Sequence, residues 1–251
     1  MNIYETIQKH RARSQKYTFK VIRSDSVKSD PGLQRFLGKV AELVKKGDIQ
    51  SAQELVNEFD DFHRKKVVYM FLERGQYEEA NMFLPEHTDS PPLIHLKMQV
   101  QYLLGADFDK LILMIKNNIE RYKKMLDVRP MDEQREKDIK KAWATDLLFW
   151  GMFLALRGDY TAAIEKYDIS YEIYPFPETL VNKYCCYNRS GDETNAYKTL
   201  KELECNHKDI SNNTPLIEKI KYDVACDRFR DKSWFIEFLN RHSRTHDNMK
   251  Y

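Results

Sequence analysis

The stretch Ala144–Pro175, ATDLLFWGMFLALRGDYTAAIEKYDISYEIYP, decides the fold. Its first half carries the apolar run LLFWGMFLAL, Leu147–Leu156, between Asp146 and Arg157. Spanning a bilayer takes about 20 such residues, so this shorter run reads as a buried helix. Gly158 follows it. A glycine just past a helix end adopts the left-handed conformation that closes the helix at little steric cost. A second amphipathic pattern begins a few residues later and carries Ala163 in its first turns. A side chain limited to a methyl lets two antiparallel helices approach closely. The stretch therefore reads as a helix hairpin with a short turn.

The same punctuation recurs along the chain. Gly47 opens GDIQSA, Gly75 opens GQYEEA, Gly158 opens GDYTAA and Gly191 opens GDETNA. In each, an alanine stands five residues after the glycine: Ala52, Ala80, Ala163 and Ala196. With only 12 alanines in the chain, four such coincidences mark an internal repeat. Gly105 opens GADFDK, which keeps the glycine and has Lys110 in the alanine's place. The spacing predicts helix pairs near 33–60, 61–88, 91–128, 131–176 and 177–205. A degenerate last pair is expected near 215–243, with a helix over Leu216–Asp227 and another capped by Ser233. Trp234, Phe235 and Phe238 would face inward. Asp109–Leu126 reads as an unusually long second helix broken by Pro130. The next helix begins near Asp132 with a nearly all-charged first half, read as a solvated extension or as a projecting arm that touches a partner or covers a groove.

Composition agrees with an all-α chain. Eight glycines and eight prolines in 251 residues are too few for a protein built on tight β-turns. Lysine and arginine number 41 against 39 acidic residues, so nothing in bulk drives the chain toward nucleic acid or acidic lipid. No nucleic-acid partner and no membrane insertion are expected. Residues 1–32 are locally basic (Lys9, Arg11, Arg13, Lys16, Lys20, Arg23 and Lys28 among them) and read as a solvated, partly mobile arm. Residues 244–251 read as a frayed tail. Cys185, Cys186, Cys205 and Cys226 form no CxxC motif, and the N-terminus lacks the apolar core of a secretory signal. Reduced thiols in a cytoplasmic protein are the expectation.

The unit from Ala144 resembles the tetratricopeptide repeat family. Trp150 and Gly151 take that family's large–small step, Gly158 its turn, Tyr160 its aromatic, Ala163 its small residue, Tyr167 its second aromatic and Pro175 its terminator. Ser170 stands where a second alanine is usual. The next unit keeps Leu180, Tyr187, Gly191, Ala196 and Leu200 but has Glu193 in place of the aromatic. The units at Gly47 and Gly75 keep the glycine–alanine core with Ile49 and Tyr77. Their spacing is shorter than the family's usual period of about 34 residues. The resemblance spans about residues 33 to 205.

It implies an α-solenoid of five or six antiparallel helix pairs over a single domain, 33–243, curved into a superhelix whose inner surface is lined by the first helix of each pair. Carried over by position, the lining includes Leu37, Ala41 and Lys45; Lys65, Tyr69 and Glu73; His95, Gln99 and Tyr102; Leu148, Met152 and Leu156; and Val181, Cys185, Asn188 and Arg189. This mixture of apolar and polar groups suits an extended peptide or a partner helix. Some members grip a terminal carboxylate with a lysine and an asparagine four apart on a first helix. No first helix here has that step, so that ligand class is not expected.

No glycine-rich phosphate loop, GxSxG elbow or HExxH is present. His242 and His246 lie four apart but lack a third ligand nearby. Neighbours on a helix, Cys185 and Cys186 cannot point the same way. The sequence thus predicts a protein without cofactor or catalytic residues: a scaffold, adaptor or chaperone-like module that binds a partner protein or peptide. Lys65, Asn188 or Arg189 would fix the register. The competing readings are a regulatory peptide sensor on the same repeats, and an enzyme whose site is dispersed over the helices.

Overall fold

The computed structural model describes residues 30–128 and 130–242. The predicted basic arm up to residue 29, the predicted tail over 244–251 and His246 lie outside them. Among the described residues there are twelve α-helices, two 3-10 turns and no strand. The helices are α1 Pro31–Lys45, α2 Ile49–Asn57, α3 Asp61–Glu73, α4 Tyr77–Met82, α5 Pro91–Leu103 and α6 Phe108–Asp127. They continue as α7 Glu133–Arg157, α8 Tyr160–Ile173, α9 Pro177–Ser190, α10 Glu193–Asn206, α11 Thr214–Tyr222 and α12 Ser233–His242. The 3-10 turns are Ile210–Asn212 and Val224–Cys226.

The glycine turns share one hydrogen-bonding scheme. Gly47, Gly75, Gly105, Gly158 and Gly191 all have φ between 71° and 90°. After each glycine, the next residue's N–H reaches back to a carbonyl of the preceding helix: Asp48 to Leu43, Gln76 to Phe71, Ala106 to Gln101, Asp159 to Leu154 and Asp192 to Tyr187. That is the closure of a helix end through a left-handed residue. In three of the turns the same residue then starts the next helix. The carboxylates of Asp48, Asp159 and Asp192 accept from the N–H groups of Ser51, Ala162 and Asn195. A glycine followed by an aspartate thus stops one helix and starts another within three residues. Ala52, Ala80, Ala163 and Ala196 are all fully buried, as close helix approach requires.

Contacts divide the chain into two compact units that meet in sequence at Ala142 and Trp143, within α7. In the first, α1 pairs with α2, α3 with α4 and α5 with α6, while the first helices also touch one another, α1 on α3 and α3 on α5. Its core runs through Leu33, Phe36, Val40, Val56, Val67, Phe71, Phe83, Leu93 and Val100. In the second, α8, α9 and α10 pack in sequence, α9 touches α11 and α10 touches α12. Helix α7 meets α8 where Gly151 lies against the Tyr167 ring, Ser170 Oγ donates to the Ala144 carbonyl at 2.7 Å and Lys166 Nζ sits 4.8 Å from the Trp150 ring centre.

Pro130 follows α6 as expected, and the Asp132 carboxylate accepts from Arg135 N–H at 2.8 Å at the start of α7. The charged half of α7 is solvated only up to Lys137; Ile139 is fully buried. The C-terminal helices differ from the sequence reading. α11 ends at Tyr222 rather than Asp227, because Asp223 is extended and its carboxylate caps the 3-10 turn through Ala225 N–H at 2.9 Å. Ser233 is the first helical residue of α12 rather than its cap, since the Lys232 carbonyl accepts the first helical bonds. Phe235 and Phe238 are buried as expected, and Trp234 is half-buried with its indole N–H on Glu193. No helix among the described residues is long and apolar enough to cross a membrane.

Candidate functional site

The first unit presents a groove of about 430 Å³ at the C-terminal ends of α1 and α3, lined by Ala41, Glu42, Val44, Lys45, Phe71, Arg74, Gln76 and Glu79. Its floor is apolar, because Phe71 belongs to the core and Val44 packs against that core. Both acids of the rim are occupied. Lys46 Nζ lies 2.7 Å from Glu42, and this hydrogen bond and its charge hold the Glu42 carboxyl below its ordinary range. Gln76 Nε2 donates to Glu79 at 3.2 Å. The cations Lys45 and Arg74 have no side-chain hydrogen bond or ion pair among the described residues. Each stands at the C-terminal end of its helix, where the backbone's partial negative charge favours a cation.

Ala41 and Lys45 were expected on the inner surface from their helix positions, and the groove contains both. Arg74, Gln76 and Glu79 were not expected, because they lie at and beyond the helix end. The sequence carries one partial signal, a basic residue directly before the turn glycine at Arg74, but that pattern also picks Lys46 and Arg157, which do not line the groove.

The predicted binding residues separate into two groups. Lys65, Tyr69, His95, Leu148 and Met152 are half-buried and Arg189 is exposed. Gln99, Tyr102, Val181, Cys185 and Asn188 are buried. Asn188 is a structural bridge rather than a surface contact: its oxygen accepts Arg228 N–H at 3.0 Å and its amide donates to Tyr184 Oη at 3.3 Å. The Cys185 thiol turns inward, 2.9 Å from Cys226 Sγ. A first helix has an inner edge as well as an inner face, and side chains near that edge pack on the next pair. Burial pulls the Lys65 ammonium pKa down and the Lys66 charge adds to this, while Asp138 works in the opposite direction. Burial also raises the Tyr69 phenol.

Beside Lys65 the sequence reading missed an aromatic surface. Phe36, Phe59 and His63 form a cluster with ring centres 4.5 to 5.5 Å apart, and Phe62 packs edge-on to His63. Phe59 and Phe62 are 40% and 45% exposed. The Lys65 and Lys66 ammonium groups lie 5.9 and 5.2 Å from the Phe62 ring centre.

A second polar cluster lies in the second unit. Glu204 accepts Arg241 Nε at 2.8 Å, His242 Nε2 at 2.9 Å and Lys201 Nζ at 3.1 Å. Ser211 Oγ lies 2.7 Å from His242 Nδ1. The chain serine–histidine–carboxylate has the composition of a hydrolytic triad. Here, however, the carboxylate is shared with Arg241 and Lys201. What the network does is fasten α12 to α10. His242, considered with His246 as a metal pair, is held in this network, and no group of three potential metal ligands occurs among the described residues. No protein-family model and no curated protein matches the sequence.

Proposed function

We propose that the chain is a non-enzymatic interaction module, an adaptor or chaperone-like scaffold resembling tetratricopeptide repeat proteins, that holds a segment of a partner protein against the first helices of its hairpins. The observation that carries this reading is the groove between α1 and α3, with an apolar floor and two cations that no side chain among the described residues engages. Such a surface suits a segment with one bulky apolar residue beside a carboxylate. Phe59 and Phe62, at the N-terminal end of α3, are a further exposed apolar area on the same unit. A cytoplasmic setting belongs to the same proposal.

The test is charge reversal at the groove. In affinity purification from the native cell, the Lys45→Glu, Arg74→Glu double variant should retain its helical content and capture the principal partner about tenfold more weakly. Undiminished capture by a folded double variant contradicts the groove as the binding surface.

A further inference from the structure

We propose that Cys185 and Cys226 form a modification site: a dithiol that a two-electron oxidant, such as hydrogen peroxide, converts to a disulfide tying α9 to the C-terminal segment of the second unit. The two sulfurs lie 2.9 Å apart, and both residues are buried free cysteines. A disulfide bond is about 2.05 Å long, so less than an ångström of approach completes it.

The pairing is held by the backbone and not by chance side-chain positions. Cys226 sits in the 3-10 turn Val224–Cys226, whose N–H groups at Ala225 and Cys226 both bond to Asp223. Arg230 donates to the Asp223 carbonyl from the other side at 3.0 Å. Two residues beyond Cys226, Arg228 N–H is fixed to Asn188 Oδ1 on α9, one turn after Cys185. The turn is thus closed on itself at Asp223 and pinned on α9 just beyond the sulfur pair. The adjacent Cys186 is an internal control. It is equally buried but packs against Ala163 and Tyr167, in a different cluster from Cys185 and Cys226. Cys205 is exposed.

The chemistry balances with one equivalent of peroxide. The Cys185 thiolate, at the less deeply buried of the two positions, attacks a peroxide oxygen. The O–O bond breaks, and the departing hydroxide takes up the proton that Cys185 lost. Cys226 sulfur then attacks the sulfenic sulfur of Cys185; the S–S bond forms, the S–O bond breaks, and the hydroxyl leaves as water with the Cys226 proton. Two thiols and one peroxide give one disulfide and two waters. Burial holds the Cys226 thiol well above its ordinary pKa, which makes the reaction slow.

The experiment uses the full chain. Peroxide treatment is continued past the consumption of Cys205 until no further thiol is lost, remaining thiols are alkylated after denaturation, and peptides are mapped by mass spectrometry. The expected result is a Cys185–Cys226 cross-link, reversed by dithiothreitol, with Cys186 recovered as the alkylated thiol. The Cys186→Ser variant should keep the cross-link and the Cys226→Ser variant should lose it. Recovery of both Cys185 and Cys226 as alkylated thiols after Cys205 has been consumed overturns the proposal. So does a cross-link from Cys185 to Cys186 or Cys205. The wild-type map decides even if a variant fails to fold.

Discussion

Gly151 shows how much one methyl group decides. A Cβ built there would lie 2.5 to 2.9 Å from three atoms of the Tyr167 ring. That ring is buried in the core between α7 and α8, so it has little room to retreat. Gly151→Ala should cost about 1–3 kcal/mol of stability, the usual range for overpacking, readable as a lower urea midpoint. The residue was legible in sequence through the resemblance to tetratricopeptide repeats, whose large–small step Trp150–Gly151 matches between adjacent residues. Asn188 was misread as a surface contact for the opposite reason. Its partner, the Arg228 backbone, is 40 residues away, and no local pattern announces it.

At the scale of the element, the hairpin is written into its turn. Asp159 N-caps α8 by accepting Ala162 N–H at 3.1 Å. Asp159→Ala leaves that donor to water, and about 0.5–2 kcal/mol of stability should be lost. Chemical denaturation followed by circular dichroism measures it. The glycine and the alanine of this turn were readable because both act within five residues. The end of α11 was not, because the Asp223 carboxylate caps the Ala225 N–H and terminates a pattern that stays apolar and helical in spacing.

Helix α12 is attached differently, through charge. Burial alone would raise the Glu204 carboxyl, but the hydrogen bonds from Arg241, His242 and Lys201 outweigh it and hold the pKa below its ordinary value. A carboxylate whose pKa is lower in the folded state stabilises that state above the unfolded range, near 4.3. The contribution fades as pH falls through the folded value. The thermal unfolding temperature of the wild type should therefore fall on acidification from about pH 5 to pH 3. Glu204→Gln should start lower at neutral pH and show a shallower decline. Equal slopes for the two proteins would mean that Glu204 does not secure α12 through its charge.

For the whole molecule, the repeat of glycine turns made the all-α architecture and the order of helix pairs readable from sequence. The grouping into two compact units around Ala142 and Trp143 was not readable. It depends on where contacts between helices thin out, while α7 is continuous through the boundary. Function follows the same division of legibility. Helix position alone nominated Ala41 and Lys45, whereas Arg74 entered the groove through the geometry of a helix end. The central claim is that a partner lies on the first helices of the hairpins, and amide hydrogen exchange of the chain, free and saturated with its principal co-purifying partner, tests it most directly. Exchange should slow in Pro31–Lys45 and Asp61–Glu73 on binding. Slowing confined to Ile49–Asn57, with those two helices exchanging as fast as in the free chain, would contradict it.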